Sequence, residues 1–324
     1  MRRRAVGIQW CPPPFLFRNR EAVISQRRKR YIRDRLNIFI FLLPTIFFVF
    51  VFIAFPIGYS AYLSLTEYNY ARDPAPKFIG FRGYIYTLFH DVFFHDALLN
   101  QVKFAIPYFI ATFTFSLGLA ILINELVFGT RFFQVLFYLP MIIPLSLVGI
   151  IFAWVLAPDI GIFDHILRWM GIKNWNIDWF GNPYTAIYCL AIARSWKMIG
   201  FTLIIFLAGL QAIPKELREA AKVDGANFLQ EIFKVVLPNL KPYLLIGGIW
   251  ILINSIKTFE LPAVVTEGGP GTSTLTLYLY SWKLAFERLD MGRASQVAYI
   301  TATIILVLSW VLNRIFRPET ARRA

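Results

Sequence analysis

The sequence predicts an all-α fold, a polytopic bundle of six transmembrane helices, on three observations. Of its 324 residues, 57% are hydrophobic and 16% charged, with Phe alone at 32 positions; that apolar excess is too large for the core of one soluble domain. Four uncharged runs, at 36–66, 104–124, 132–158 and 294–313, reach the roughly 20 helical residues that a hydrocarbon core of about 30 Å requires. The basic residues lie between apolar segments and alternate in abundance from one side to the other.

The elements follow in chain order. Residues 1–35 carry eleven Arg or Lys, from Arg2 to Arg35, which by the positive-inside rule makes this tail cytoplasmic. Its Cys11-Pro12-Pro13-Pro14 run followed by dense arginine suits either solvated topogenic sequence, the blander reading, or contact with anionic lipid. The first span, 36–66, is too long for a signal-peptide core and lacks a small-residue cleavage site, so it is expected to stay in the mature chain. An extracytoplasmic loop of mixed charge, 67–103, precedes the second span at 104–124. The third, 132–158, leads into an outer loop, 159–179, whose Trp169, Trp175 and Trp179 suit the membrane interface. The fourth and fifth spans, about 180–209 and 242–265, are interrupted by Arg194 and Lys197 and by Lys257 and Glu260, and a polar loop over about 210–241 separates them. The sixth, 294–313, closes a transmembrane domain taken as 36–317, before a short tail at 318–324. Alternation puts 21 basic residues in inner segments against nine in outer loops, and the carboxyl terminus is expected to be cytoplasmic too.

Composition also bounds the chemistry. The net charge of +14 is not gathered into a basic patch interleaved with aromatics, so no nucleic-acid partner is expected. Cys11 and Cys189 support neither a disulfide framework nor a metal site. His90, His95 and His165 stand in loop-like sequence without paired ligands and are read as ordinary surface residues. None of the 19 Gly is followed by Lys, so the phosphate-binding G-K-[ST] is absent and no cofactor is expected in this chain. A membrane-embedded enzyme would need a His, Asp or Glu constellation at the membrane surface, and the dense acidic stretch is the 210–241 loop, where acids alternate with Lys.

That loop is the most informative segment. Pro214 at a first-turn position and Glu216 near the positive end of the dipole start a helix. Leu217, Ala220 and Ala221 share a face whose small side chains admit another surface, and Glu219 offers a carboxylate to a basic or backbone donor there. Gly225 can take the left-handed conformation that reverses the chain, with Asp224 bonding local amides. A second helix is expected over 227–236, presenting Phe228, Ile232 and Val235 and stopping at Leu237-Pro238, after which Pro242 re-enters the membrane. By pattern alone the unit is equally an amphipathic helix-turn-helix lying on the inner membrane surface.

The spacing changes that weighting. Glu219-Ala220-Ala221, three residues, Gly225, nine residues, Val235, one more, then Leu237-Pro238 resembles the coupling-loop signature of the permease subunits of binding-protein-dependent ATP-binding-cassette (ABC) importers. Trp196-Lys197, Gly200-Phe201 and the run from Phe206 to Pro214 lead into it as in the sugar permeases of this family. Phe78-Ile79-Gly80-Phe81, Leu98-Leu99-Asn100, Leu139-Pro140 with Pro144, and Thr266-Glu267-Gly268-Gly269-Pro270 match elsewhere, and Tyr278, Tyr280, Ala285-Phe286 and Gly292 continue the pattern. The chain departs at Val235, where Ile is commoner, at Arg218, where an aromatic is frequent, and at Glu267, where Gly is frequent.

The resemblance covers about 36–317 and points to the carbohydrate-uptake branch, specifically the first of the two permeases that usually pair. It implies a type I ABC importer permease fold in a bacterial or archaeal plasma membrane, with Glu219, Ala220, Ala221, Asp224, Gly225, Leu237 and Pro238 as ATPase-coupling residues. The partners it implies are a homologous second permease, two ABC ATPase subunits that bind ATP and Mg, an extracytoplasmic solute-binding protein, and a sugar.

Charged groups near the middle of a span cost about 2.5–3.5 kcal/mol each on insertion scales, so Arg194, Lys197 and Lys257 are expected to face protein, water or a partner charge. Lys257 and Glu260, three apart, can pair on one helix face. Sugars take hydrogen-bonding groups together with an apolar stacking face; Trp196, Lys197 and Phe201 offer such a set on the fourth span, and Ser255, Lys257 and Thr258 on the fifth. The resemblance adds Met141 and Leu145 to this path, with span packing the competing role for each. The expected function is inward transport of a mono-, di- or oligosaccharide or a related polyol. An autonomous secondary carrier or channel would instead need membrane-embedded acids or inverted repeats, and the first, second, third and sixth spans contain no acidic residue.

Overall fold

A computed structural model describes residues 38–126, 128–171 and 177–316; the expected tails at 1–35, with Cys11, and at 318–324, and Trp175 of the outer loop, lie outside the described residues. Contacts divide the chain into two units, 1–60 and 61–324. The described part of the first belongs to helix α1 (Ile38–Leu63). The second opens with a two-stranded antiparallel ribbon, β1 (Thr66–Glu67) and β2 (Lys77–Phe78), in the register Thr66↔Phe78. Helices α2 (Arg82–Phe89), α3 (Val92–Asn124), α4 (Thr130–Ile142), α5 (Leu145–Val155), α6 (Ile162–Trp169) and α7 (Ala186–Gln211) follow. The polar loop forms α8 (Lys215–Val223) and α9 (Phe228–Glu231), which runs through a π turn, Ile232–Val236, into α10 (Leu237–Ile256); α11 (Glu260–Val265), α12 (Leu277–Trp282) and α13 (Met291–Phe316) complete the chain. Among the described residues five helical runs are long and apolar enough to cross a membrane, and α4 with α5, bent by 96° at their junction, makes a sixth when taken as one broken span.

The 132–158 run is thus not a straight span. Pro144 has no N–H to donate and drives Ile143 to an extended conformation (φ −68°, ψ 131°), so α4 ends and α5 restarts. The carbonyls at the break are satisfied from α7: Lys197 Nζ donates to Met141 O at 2.7 Å and to Ile143 O.

Two other prolines are preceded by widened turns. A π turn ends two residues before Pro56 (Phe50–Ala54) and another two residues before Pro238 (Ile232–Val236). The Leu237 N–H reaches back to Ile232 O, and the wider turn makes room for a ring that would otherwise strike the carbonyl four residues earlier. The expected stop at Leu237-Pro238 is corrected accordingly: the helix continues through Pro238 and Pro242 to Ile256. There Lys257 caps it and a separate helix starts at Glu260, so the expected pairing of Lys257 with Glu260 on one helix face does not form.

Helices α3 and α7 form the spine of the second unit. Phe104 and Tyr108 cluster with Leu190 and Ala193, while Ala120 and Ile123 cluster with Leu203, Phe206 and Leu207 toward the end that leads into the polar loop. Helix α4 rests directly on this spine, because a Cβ at Gly200 would stand 2.0 Å from Phe137 O and 2.8 Å from Tyr138 Cα. Gly200→Ala is expected to cost about 1–3 kcal/mol through overpacking against backbone that cannot yield, read as a lowered melting temperature of the purified chain in detergent.

Candidate functional site

The inner loop is built from local rules. Pro214 precedes α8, and the helix ends in a left-handed turn at Gly225 (φ +78°). Ala226 N–H donates to Ala221 O at 3.0 Å and Gly225 N–H to Lys222 O at 3.1 Å, the main-chain closure for which glycine is favoured. The Asp224 carboxylate is exposed and does not make the local bonds expected of it; that role falls to Asn227, whose Oδ1 accepts from Gln230 N–H at 2.8 Å while Gln230 Oε1 accepts from Asn227 N–H at 3.0 Å. No residue of α8 is buried. Leu217, Glu219, Ala220 and Val223 are exposed and Ala221 is half-buried, and exposed Phe228, Leu229 and Phe233 continue the apolar surface. The structure therefore gathers Glu219, Ala220, Ala221, Asp224 and Gly225 on one short helix and its turn. Leu237 and exposed Pro238 stand at the foot of α10, where Leu237 packs against the inner core.

Arg218 is directed back at the bundle. Its Nε donates to Glu231 Oε1, and its Nη2 to Glu125 Oε1 at 2.5 Å. Burial alone pulls its guanidinium down, but the bonds and charges of Glu231 and Glu125 outweigh that, and the net shift is upward from the usual arginine range. Sequence reasoning saw Arg218 only as a departure from the family pattern, since its partner Glu125 is 93 residues away.

Within the membrane-spanning part, Met141 and Lys197 come together at the α4–α5 break, and Leu145 packs on the same core. Trp196 is half-exposed with Phe152 beside it at 5.7 Å between ring centres, and Phe201 meets Trp250 at 4.8 Å. Neither aromatic neighbour was singled out from the sequence, although both lie in apolar runs where aromatics are abundant. Ser255 and Thr258 are fully buried, and their hydroxyls donate to Leu252 O at 2.7 Å and Ser255 O at 3.0 Å. Gln101 Nε2 and Thr276 Oγ1 take the Ser255 and Thr258 carbonyls, so these residues seal the break after α10 whereas Lys257 stays exposed.

The opposite end holds a polar clasp. Asp91 Oδ1 accepts from Phe93 and Phe94 N–H, capping α3, and its Oδ2 accepts from Tyr280 Oη and Arg293 Nη2, both at 2.6 Å. Asn100 Nδ2 donates to Thr272 O at 2.5 Å and Leu275 O at 3.2 Å. Beside the clasp a cavity of about 860 Å³ opens between the ribbon, α2 and the start of α13, lined among others by Glu67, Lys77, Tyr86, Asp290 and Arg293. Burial pushes the Asp290 carboxyl above the usual carboxylate range, opposed by its bond and charge contact with Arg293. His95 and His165 direct ring nitrogens at Leu88 O and Gly161 O, and among the described residues no three His, Cys, Asp or Glu gather as a metal site.

Comparison with known proteins gives consistent matches. The model of a family described as binding-protein-dependent transport system inner membrane component matches residues 116–318. The sulfoquinovosyl glycerol transport system permease protein SmoG of Agrobacterium fabrum is 33% identical over 88% of this chain and 92% of its own. The trehalose/maltose transport system permease protein MalF of Thermococcus litoralis is 28% identical over 86% of this chain and 93% of its own. A chain in the crystal structure of a bacterial ABC transporter involved in the import of the acidic polysaccharide alginate superposes with a TM-score of 0.76 at 25% identity, covering 90% of this chain and 98% of that one.

Proposed function

The chain belongs to the family of inner membrane components of binding-protein-dependent transport systems, and on that footing we propose that it is the permease subunit through which an ATP-driven importer passes a carbohydrate inward. One observation carries the cargo class: SmoG, MalF and the alginate transporter are each named for a carbohydrate cargo and align along 86–90% of this chain. A homologous second permease completes the path, two ABC ATPase subunits bind ATP and Mg, and an extracytoplasmic solute-binding protein delivers the sugar. The exposed α8 with Glu219, Ala220 and Ala221 is the docking element for the ATPase. Closure of the ATPase pair moves α8, and the connected spans pivot between inward-open and outward-open states. Both chain ends lie in the cytoplasm. The alternation of basic residues supports this.

Along the path, Trp196 and the Phe201–Trp250 pair offer stacking faces, and Lys257 an exposed donor. Trp250→Ala is expected to raise the sugar KM of transport about 3- to 10-fold, the worth of one aromatic contact, with ATPase assembly unchanged, as measured by labelled-sugar uptake into proteoliposomes.

The assembly is tested by mild-detergent affinity purification of this chain from its membrane followed by mass spectrometry. Recovery of an ATPase, a second permease and a solute-binding protein is the expected result, and the binding protein is then screened for its sugar. Recovery of this chain alone, with transport intact after reconstitution, points instead to an autonomous carrier.

A further inference from the structure

We propose that Arg218 is the positioning residue that makes α8 move as one body with the inner ends of α3 and α10. The proposal rests on the reading of α8 as the ATPase-docking helix. That helix has no buried side chain, and it hangs between two joints, Pro214 before it and left-handed Gly225 after it. Held by its main chain alone, it would swing on those joints and dissipate a push delivered to its outer face.

Arg218 removes that freedom. Its side chain, 21% exposed, reaches Glu231, 3% exposed, and Glu125, 38% exposed. Glu125 directly follows α3, and Glu231 closes α9 where the π turn leads into α10. One guanidinium thus joins three elements from distant parts of the chain. Arginine suits the task because its planar fork presents several donors in fixed geometry, and bonds between charged groups are about twice as strong as neutral ones. Glu231 cannot simply release it, since a buried carboxylate without its partner is strongly disfavoured. From Glu231 the helix is continuous to Ile256. From Glu125, α3 extends outward to Gln101 and Asn100, which hold the last turn of α10 and the segment before α12. A displacement of α8 therefore enters the bundle at two feet and reaches the level of Trp250 along α10.

The test uses the complete importer in proteoliposomes, with ATPase retention and cargo moved per ATP hydrolysed as separate readouts. Arg218→Gln is expected to keep the ATPase bound and hydrolysing while cargo per ATP falls about tenfold, within the range of known coupling energies. Glu125→Gln, which spares the Glu231 contact, is expected to lower the ratio about threefold. The exchange of Arg218→Glu with Glu231→Arg restores the link to position 231 but not that to Glu125, so it is expected to bring the ratio back only to about the level of Glu125→Gln. A ratio within about twofold of wild type in Arg218→Gln, or an unaltered ratio in Glu125→Gln should Arg218→Gln fail to assemble, overturns the clamp. Failure of the docking reading is distinct: Glu219→Lys would then leave ATPase retention and coupled hydrolysis untouched.

Discussion

Gly225→Pro and Glu219→Lys are each expected to lower transport-linked ATP hydrolysis by about tenfold or more, a loss of at least about 1.4 kcal/mol of coupling, while the chain still inserts and purifies. Gly225 has φ +78°, and proline is locked near φ −65°, so the turn after α8 cannot survive; the bond from Gly225 N–H to Lys222 O at 3.1 Å is lost as well. Nothing lies within 4 Å of a Cβ built at Gly225, which makes the effect conformational and not steric. Gly225→Ala is accordingly expected to be milder, carrying about 1 kcal/mol of left-handed strain. Glu219→Lys acts differently, replacing an exposed carboxylate on the proposed docking helix with a cation. The check is ATPase activity of the reconstituted complex with and without loaded binding protein. Unchanged coupled hydrolysis in both variants counts against docking through α8.

Asp91→Ala is expected to destabilise the second unit by about 3 kcal/mol. About 1 kcal/mol of this is the lost cap on α3. The rest comes from leaving Tyr280 and Arg293 without the carboxylate that accepts from both at 2.6 Å, discounted because Arg293 is 31% exposed and water can reach it. Asp91→Asn keeps a capping oxygen and should fall between wild type and alanine in a thermal-shift series. The clasp also predicts a pH dependence. Burial, with the bond and charge of Asp91, pushes the Tyr280 phenol above its ordinary value of 10.0. A raised value in the folded state means that stability is held below that ordinary value and lost as pH climbs past it. The melting temperature should therefore drop in the alkaline range in wild type, and less in Tyr280→Phe.

Much of the architecture is legible in the chain because the forces that set it act locally. Transfer of an apolar run into lipid depends on the run itself, so α1, α3 and α13 stand where uncharged stretches predict them, with α3 starting earlier because Asp91 caps it, and α7 overlaps the span expected at about 180–209 although Arg194 and Lys197 interrupt it. The first helix of the polar loop and its turn were readable for the same reason, since a proline just before the helix and a glycine suited to φ +78° act within a few residues.

What only the tertiary structure decided are the places where a group's partner comes from far along the chain. The run 132–158 was expected as one span, and its 96° bend at Pro144 and the use of Lys197 to satisfy the freed carbonyls came to light only with α7 lying alongside. Ser255 and Thr258, which the sequence offered as candidates for either sugar contact or span packing, turn their hydroxyls to the main chain at the end of α10. Pro238 was read as a stop, and the π turn ahead of it carried the helix through. Arg218 could not be matched to Glu125 before α3 and α8 were brought together. Hydropathy and capping are properties of short segments and survive in the one-dimensional record. The pairing of a polar side chain does not, because in a low-dielectric bundle its partner is whichever unsatisfied group the packing brings within reach.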